Sequence, residues 1–234
     1  MKLDGKVALI TGAAGTLGRA TAAAFAGAGA KLALLDLDLR ALEAAYGAAG
    51  DARLFLAADL GDAGKVAAAV GTARARFGRI DALCNIAGGF HMGEPAHEMK
   101  DEVWRLMLEL NAGSILRTAR AVVPGMIAQG AGKIVNVAAM GGLAGGAMMA
   151  AYAASKSAVI RLTESMALEL RDKGINVNCV LPSTIDTAPN RASMPNTDYT
   201  RWVAPAALAD VMLFLASDAA RAINGAALPV VGRV

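Results

Sequence analysis

Two side chains in the segment Tyr152–Ala153–Ala154–Ser155–Lys156 have the types and the spacing of a proton-transfer pair. Residues four apart lie on one face of a helix, which brings the tyrosine phenol and the lysine ammonium side by side. A phenol has a pKa of about 10, and a neighbouring ammonium lowers it because it favours the phenolate. The pair could therefore act as a general acid or base. An amphipathic surface pair has the same pattern, so the spacing alone leaves both interpretations open.

A second stretch, from Val7 to Asp36, has the residues expected of a dinucleotide site. An apolar run leads into a turn with glycines at 12, 15 and 18, then an alanine-rich helix and a second apolar run that ends in Asp36. Glycines allow a sharp turn and a close approach to a pyrophosphate, which binds free N–H groups at the helix N-terminus. A carboxylate at the end of the second strand can accept a hydrogen bond from a ribose hydroxyl. The alternative is an ordinary strand–helix turn with Asp36 as a cap.

The elements that must position these groups alternate along the chain. Seven apolar runs predict strands at residues 7–10, 31–35, 53–58, 81–86, 133–137, 175–181 and 226–231. Helical patterns occupy residues 17–28, 38–49, 62–77, 101–128, 151–173 and 205–215. This alternation predicts a single α/β domain over residues 1–234, a doubly wound (Rossmann) fold whose parallel sheet of about seven strands has helices on both faces. Ligands bind such sheets beyond the carboxyl ends of the strands, where the candidate groups fall.

Composition excludes several other classes of function. The formal charge is only +3, with no basic cluster, so a nucleic-acid partner is not expected. No apolar run reaches the ~18–20 residues needed to span a membrane, and the N-terminus leads directly into the first strand, without a signal-peptide pattern. Cys84 and Cys179 lie within strand-like runs, which indicates buried thiols of a reducing, cytoplasmic compartment. His91 and His97 have no third ligand at metal spacing, so no metal site is expected.

Six motifs, in order, give the chain a resemblance to the short-chain dehydrogenase/reductase family over essentially its whole length. They are the glycine turn Thr11–Gly18, Asp59, the segment Asn85–Ile86–Ala87–Gly88, Asn111, the pair Tyr152 and Lys156, and the loop Pro182–Thr187. The turn departs from the family at Thr16, which stands where a middle glycine is usual. The resemblance implies an oxidoreductase that transfers a hydride between a nicotinamide cofactor and a small organic substrate.

The resemblance also implies roles for individual residues. Tyr152 would be the proton donor or acceptor, Lys156 would tune it and hold the nicotinamide ribose, and Asn111 would support a proton relay. The implied cofactor-binding residues are Gly12, Gly15, Thr16, Leu17, Gly18, Asp36, Asp59, Leu60, Asn85, Ala87, Gly88, Tyr152, Lys156, Pro182, Ile185 and Thr187. Because Asp36 would repel a 2′-phosphate and residues 13–17 contain no basic side chain, we expect NAD(H) as the cofactor.

One residue of the family pattern is absent. The family carries a serine 13 residues before the tyrosine, which donates to the substrate carbonyl, whereas this chain has Ala139 there. Loss of one such donor typically costs ~10²–10³ in rate. The dihydropteridine-reductase-like branch of the family also lacks the serine, and its loops are similar to residues 84–90 and 185–195. Its substrates are C=N compounds that develop no oxyanion, which would explain the alanine.

Three functions remain in competition at this level. The first is an NAD-dependent reductase acting on a C=N compound, and the second an alcohol/ketone oxidoreductase working without the serine. The third is a catalytically weak NAD(H)-binding protein.

Two long helices, residues 101–128 and 151–173, are richer in apolar residues than one sheet face requires. In the family the corresponding pair packs against its copies, so a homodimer or homotetramer is expected.

Overall fold

All seven predicted strands are present in the computed structural model, which describes residues 1–234. They are β1 Val7–Thr11, β2 Lys31–Asp36, β3 Arg53–Ala57, β4 Ala82–Asn85, β5 Gly132–Val137, β6 Ile175–Pro182 and β7 Ala227–Val230. Every pairing is parallel, in the order β3-β2-β1-β4-β5-β6-β7. The chain winds outward from β1 in one direction and from β4 in the other. A crevice therefore opens between the carboxyl ends of β1 and β4.

The connecting helices cover both faces of the sheet. They are α1 Thr16–Gly27, α2 Leu39–Tyr46, α3 Ala63–Phe77, α4 Asp101–Leu108, α5 Ser114–Gln129, α6 Ala150–Leu170, α7 Ala188–Ser193 and α8 Pro205–Ala216. One large core cluster joins α1 and α8 to one face, and a second joins α3, α5 and α6 to the other. Because both faces are covered, the central strands are apolar throughout, which is why they were visible in the sequence. None of the helices combines the length and the apolar character that a membrane span requires.

Two elements differ from the sequence-based expectation. The predicted long helix at residues 101–128 is interrupted by a π-helical segment, Glu109–Gly113, which separates α4 from α5. The segment after β6, where the sequence patterns predict no helix or strand, contains the short helix α7. Thr187 caps α7 by accepting from the Asn190 N–H, and a proline occupies its first turn, where a missing N–H costs nothing.

A row of buried polar side chains crosses the sheet just below its carboxyl edge. Thr118 on α5 donates to Asn85 Oδ1 over 2.8 Å, and Asn85 Nδ2 donates to Asn136 Oδ1 on β5 over 2.8 Å. Asn136 Nδ2 then donates to Thr163 Oγ1 on α6 over 2.9 Å. The row connects the helix that follows Asn111 to the helix that carries Tyr152 and Lys156. It therefore fixes how the two helices are placed beside one another.

Candidate active site

The glycine turn between β1 and α1 brings backbone atoms too close together for side chains. A Cβ on Gly18 would lie 2.2 Å from the Gly12 carbonyl oxygen, and one on Gly12 would lie 2.9 Å from the Ala87 nitrogen. Gly12 has a φ of +63°, a conformation open to glycine at little cost. Thr16, where the family usually has glycine, starts α1 without requiring such an approach. The turn leaves the first N–H groups of α1 free for an anion.

Asp36 and Tyr46 hold this turn from two sides. Asp36 Oδ2 accepts from the Ala14 N–H over 2.8 Å, while Oδ1 accepts from the Leu37 N–H over 2.8 Å. The Tyr46 hydroxyl donates to the Ala13 carbonyl over 2.6 Å, and burial raises its pKa to about 12. The Ala13–Ala14 peptide is thus held at both ends. The contact of Tyr46 was not predicted, because the sequence offers no local signal for a partner 33 residues away.

A cleft of about 370 Å³ opens beside the turn. Of the predicted cofactor-binding residues, the ones that line it are Gly12, Asp36, Asp59, Leu60, Ala87 and Gly88. Asp59 Oδ1 accepts from the Gly61 N–H over 2.8 Å, which orients its carboxylate. Asn85 differs from these residues, since its side chain belongs to the buried polar row. Any contact of Asn85 with a cofactor would be left to its backbone.

The predicted proton-transfer pair is present on α6, but its electrostatics differ from the expectation. Burial raises the pKa of Tyr152 to about 12, so the prediction that Lys156 lowers this pKa is wrong for this structure. Lys156 Nζ instead donates to the Val137 carbonyl over 2.9 Å. Burial lowers the pKa of Lys156 to about 8, because an ammonium is poorly solvated there. Desolvation therefore favours the neutral phenol.

Asn111 lies in the π-helical segment and is fully enclosed by the loop after β4 and by α6. Its Oδ1 accepts from the Gly89 N–H over 2.8 Å, and its Nδ2 donates to the Gly89 carbonyl over 3.1 Å and to Ser155 Oγ over 2.9 Å. Ser155 Oγ in turn donates to the Tyr152 carbonyl over 2.8 Å. Asn111 therefore positions the loop and the tyrosine backbone. Its part in a proton relay stays a prediction.

Gly88 is where the cofactor cleft meets the proton-transfer residues. A Cβ at this position would lie 2.7 Å from Asn111 Oδ1 and 3.3 Å from Lys156 Nζ. Only a glycine leaves room there, so the backbone at residue 88 passes directly over both side chains. Gly88 thus lines the cleft and also lies against Asn111 and Lys156.

No nearby hydroxyl replaces the missing serine. Ala139 is buried, with 5% of its surface exposed, in extended backbone directly before the loop that leads to α6. Ser155 is occupied by Asn111 and Tyr152, and Ser157 Oγ donates to the Gly142 carbonyl over 2.6 Å. Both serine hydroxyls therefore already have protein partners.

The remaining predicted residues lie after β6, also at the carboxyl edge. Pro182 ends this strand, and Ile185 pairs through its backbone with Val203. Thr187 is the cap of α7, so its hydroxyl oxygen already accepts one backbone N–H. The placement leaves all three residues on the same edge of the sheet as Tyr152. Leu17 is buried at the start of α1 and contributes to the core.

The two histidines are placed on the loop after β4. His91 Nε2 lies 2.8 Å from Glu94 Oε2, and His97 Nε2 lies 3.4 Å from Glu98 Oε1. Both contacts are local pairs within the loop. The structure contains no group of three or more histidine, cysteine, aspartate or glutamate side chains placed to hold a metal ion.

Sequence reasoning missed one aromatic residue at the site. The Phe90 ring packs edge-on against the Tyr152 ring, with centroids 4.8 Å apart and planes 73° apart. The sequence offers one signal for it, an aromatic residue directly after Gly88–Gly89. Its contact with the tyrosine depends on how the loop folds over α6.

Comparison with known proteins gives consistent matches. The family model described as short chain dehydrogenase matches residues 6–198. A D-threitol dehydrogenase of Mycolicibacterium smegmatis is 37% identical over 243 aligned residues, which cover 99% of this chain and 93% of that protein.

Two solved structures are similar over nearly the whole chain. An NAD⁺-bound xylitol dehydrogenase superposes with a TM-score of 0.91 at 30% identity, covering 99% of this chain and 100% of that one. A 3-ketoacyl-(acyl-carrier-protein) reductase from Brucella melitensis complexed with NADH gives a TM-score of 0.90 at 34% identity, covering 99% of both chains. These relatives are named for alcohol, polyol and ketoacyl chemistry, and they give no support to the likeness with the dihydropteridine-reductase-like branch.

The buried lysine gives stability a pH dependence that can be measured. The pKa of Lys156 is about 8 in the fold, below its ordinary value of 10.5, so between these values the unfolded chain binds more protons. The free energy of unfolding contributed by Lys156 should therefore rise between pH 8 and 10, by up to about 3 kcal/mol. Tyr152, whose pKa is raised, acts in the opposite sense only above about pH 10. Urea unfolding of the wild type and of Lys156→Met across this range measures the difference.

The exposed Lys2 provides the matched control. Lys2→Met should follow the wild-type pH dependence of unfolding, because folding does not remove the exposed Lys2 side chain from water. A constant gap between the wild type and Lys156→Met from pH 7 to 10 would contradict the burial argument.

Proposed function

The chain belongs to the short chain dehydrogenase family, and we propose that it is an NAD(H)-dependent oxidoreductase that interconverts a secondary alcohol and its ketone. The observation that carries the proposal is the position of Gly88, which lines the glycine-turn cleft and lies against Asn111 and Lys156, on the same side of the sheet as the helix that carries Tyr152. Turnover of purified protein with NADH and a panel of C=O and C=N substrates tests it. Cofactor binding without turnover of either class would favour a catalytically weak binding protein.

Residues of the cleft fit the cofactor. The backbone at Gly12, Gly15 and Gly18 would take the pyrophosphate at the start of α1, and Asp36 the adenosine ribose. Thr16, Leu17, Asp59, Leu60, Ala87, Gly88, Pro182, Ile185 and Thr187 would complete the binding surface. When bound, the cofactor supplies or accepts a hydride at the substrate carbon. A phosphate next to Asp36 would meet an uncompensated carboxylate, so the proposal is NAD(H) rather than NADP(H).

Tyr152 is the proposed proton donor in reduction and acceptor in oxidation. Its raised pKa keeps the phenol protonated, which suits donation to a developing alkoxide. Lys156, held 2.9 Å from the Val137 carbonyl, would contact the nicotinamide ribose. Once it is charged beside a bound polar ligand, its ammonium would favour the phenolate. Asn111 and Ser155 keep the tyrosine backbone in place throughout.

A second candidate rests on Ala139. A C=N substrate accepts its proton on nitrogen and needs no oxyanion donor, so an apolar side chain at this position would cost nothing. The relatives reported above favour the alcohol/ketone activity instead, because their names refer to alcohols, polyols and a ketoacyl group. We therefore place the C=N reaction second.

Cofactor choice should depend on Asp36. The wild type should have a kcat/KM for NADH at least tenfold above that for NADPH, because the carboxylate fixed by two backbone N–H groups repels a 2′-phosphate. Asp36→Ala should narrow this preference. Steady-state kinetics with both cofactors measure the ratio.

The neighbouring Asp38 supplies a matched control. Its side chain caps α2 by accepting from the Arg40 N–H over 2.9 Å and does not line the cleft. Asp38→Ala should therefore leave the cofactor ratio unchanged. Equal kcat/KM values for the two cofactors in the wild type would refute the NAD(H) assignment.

Ala139→Ser separates the two candidate reactions. If the substrate is a ketone, the added hydroxyl should raise kcat/KM by up to ~10²–10³, the amount typically lost when one such donor is removed. If it is a C=N compound, the change should stay below about tenfold. Tyr152→Phe should abolish most activity in both cases, because the proton donor is gone. A Tyr152→Phe enzyme that keeps its full rate would exclude Tyr152 from the proton transfer.

Assembly into a homodimer or homotetramer is also part of the proposal. Exposed apolar side chains lie along α4, α5 and α6, including Trp104, Leu116, Ile127 and Leu168, of which Leu168 is 65% exposed. We expect these helices to pack against a second copy. Light scattering should give a multiple of 23.7 kDa, and Leu168→Glu should weaken the assembly. A monomer at micromolar concentration would contradict this.

A cytoplasmic location completes the proposal. Both cysteines, Cys84 and Cys179, are free thiols buried in the sheet, which is consistent with a reducing compartment.

A further inference from the structure

Two loops contact the Tyr152 ring. Phe90, on the loop after β4, packs edge-on against the ring with a centroid distance of 4.8 Å. On the loop after β5, a Cβ at Gly141 would lie 3.3 Å from Tyr152 Cε1 and 3.8 Å from Met149 Cε. The Gly93 N–H donates to the Met148 carbonyl over 3.2 Å, which joins the two loops. Both loops thus border the proposed proton donor, and we call their shared surface the entrance.

Large apolar side chains dominate this entrance. We call Phe90, Met92, Leu143, Met148 and Met149 the apolar mouth. Phe90 is 62% exposed, and Met92 and Leu143 are each 55% exposed. A group of exposed apolar side chains on adjoining loops is unusual on a soluble protein and marks a binding surface. Methionines also adapt their shape to an apolar ligand.

The backbone at Met148 is held in a costly conformation. Its φ is +61°, and it is the only non-glycine residue in the left-handed region. Such a conformation persists only where the surroundings hold it, and the Gly93 N–H fixes the carbonyl of this residue. The hydrogen bond between Gly93 and Met148 therefore holds the two loops in one conformation relative to each other.

Polar side chains on or next to these loops, including one on α6, already have protein partners. His91 pairs with Glu94 over 2.8 Å, and Ser157 donates to the Gly142 carbonyl. Ala139 removes the hydroxyl that the family places nearest to the substrate. A substrate with many hydroxyls needs several free partners, since each hydroxyl left unpaired on binding reduces affinity. This entrance offers an apolar surface in their place.

We propose that the substrate of this site carries a bulky apolar group, such as an alicyclic ring, at its secondary carbinol or carbonyl carbon, and is not a polyol. The proposal rests on the alcohol/ketone function proposed above. In reduction, Tyr152 would give its phenol proton to the carbonyl oxygen while the bound dinucleotide supplies a hydride to the carbonyl carbon. In oxidation, the Tyr152 phenolate would take the O–H proton while the hydride of the carbinol C–H bond passes to the oxidised dinucleotide.

A ring series that varies only in hydroxyl number tests the proposal. Cyclohexanol, trans-1,2-cyclohexanediol and myo-inositol share one carbon skeleton with one, two and six hydroxyls. With NAD⁺, kcat/KM should fall along the series, and cyclohexanol should exceed myo-inositol by at least 100-fold. Calorimetry on Tyr152→Phe with NAD⁺ measures binding of the same compounds without turnover. We expect cyclohexanol to bind at least tenfold more tightly.

Substitution of the mouth should change this selectivity. Met149→Gln and Met148→Gln keep side-chain length but add polar atoms, so each should reduce the cyclohexanol-to-inositol ratio at least fivefold. Leu39→Gln, at an exposed position on α2, should leave the ratio unchanged. A preference for myo-inositol in kinetics or binding would overturn the substrate proposal while leaving the oxidoreductase function standing. Failure to bind NAD(H) or any compound of the series would overturn both.

Discussion

A continuous row of four buried hydrogen-bonding side chains holds the two halves of this site together. Thr118, Asn85, Asn136 and Thr163 satisfy one another across β4 and β5, where unpaired polar groups would each cost about 1–3 kcal/mol. The row is complete only when α5 and α6 lie at one height along the sheet. Asn111 directly precedes α5, and Tyr152 and Lys156 lie on α6. The distance between them therefore depends on how the polar row aligns these two helices. The polar residues within otherwise apolar strands thus set the positions of the helices that carry the site residues.

Burial then gives the two proton-transfer residues opposite tendencies. Desolvation disfavours whichever form is charged, so it raises the pKa of the Tyr152 phenol and lowers that of the Lys156 ammonium. Both groups are thereby biased toward their neutral forms on neighbouring turns of α6.

The two ends of the site are formed by different kinds of groups. Near β1 and β2, backbone N–H groups and one carboxylate fixed by Ala14 and Leu37 define the cleft. Around Tyr152, apolar side chains on loops define the entrance, with Phe90 against the ring. Backbone geometry suits a constant ligand such as a dinucleotide. Side chains on loops can vary without disturbing the sheet, so they are suited to set substrate choice.

The sequence by itself determined the strands, their alternation with helices, the glycine turn and the order of the motifs. These depend on local patterning: an apolar run such as 7–10 is continuous because both faces of a parallel strand are buried. It also located Tyr152 and Lys156 on one helical face, since spacing along a helix fixes that relation. The sequence could not give the direction of the tyrosine pKa shift, because desolvation depends on everything packed around the ring.

Only the tertiary structure decided which side chains already form hydrogen bonds to other groups of the protein. Asn85, predicted beside the cofactor, proved to belong to the buried polar row, and Asn111 proved to clamp Gly89 and Ser155. Tyr46 was found on the Ala13 carbonyl, a contact invisible to any local motif. Each of these bonds joins residues at least 22 positions apart. The physical reason is that the chain fold sets the distances between such residues, whereas a sequence pattern records only neighbours.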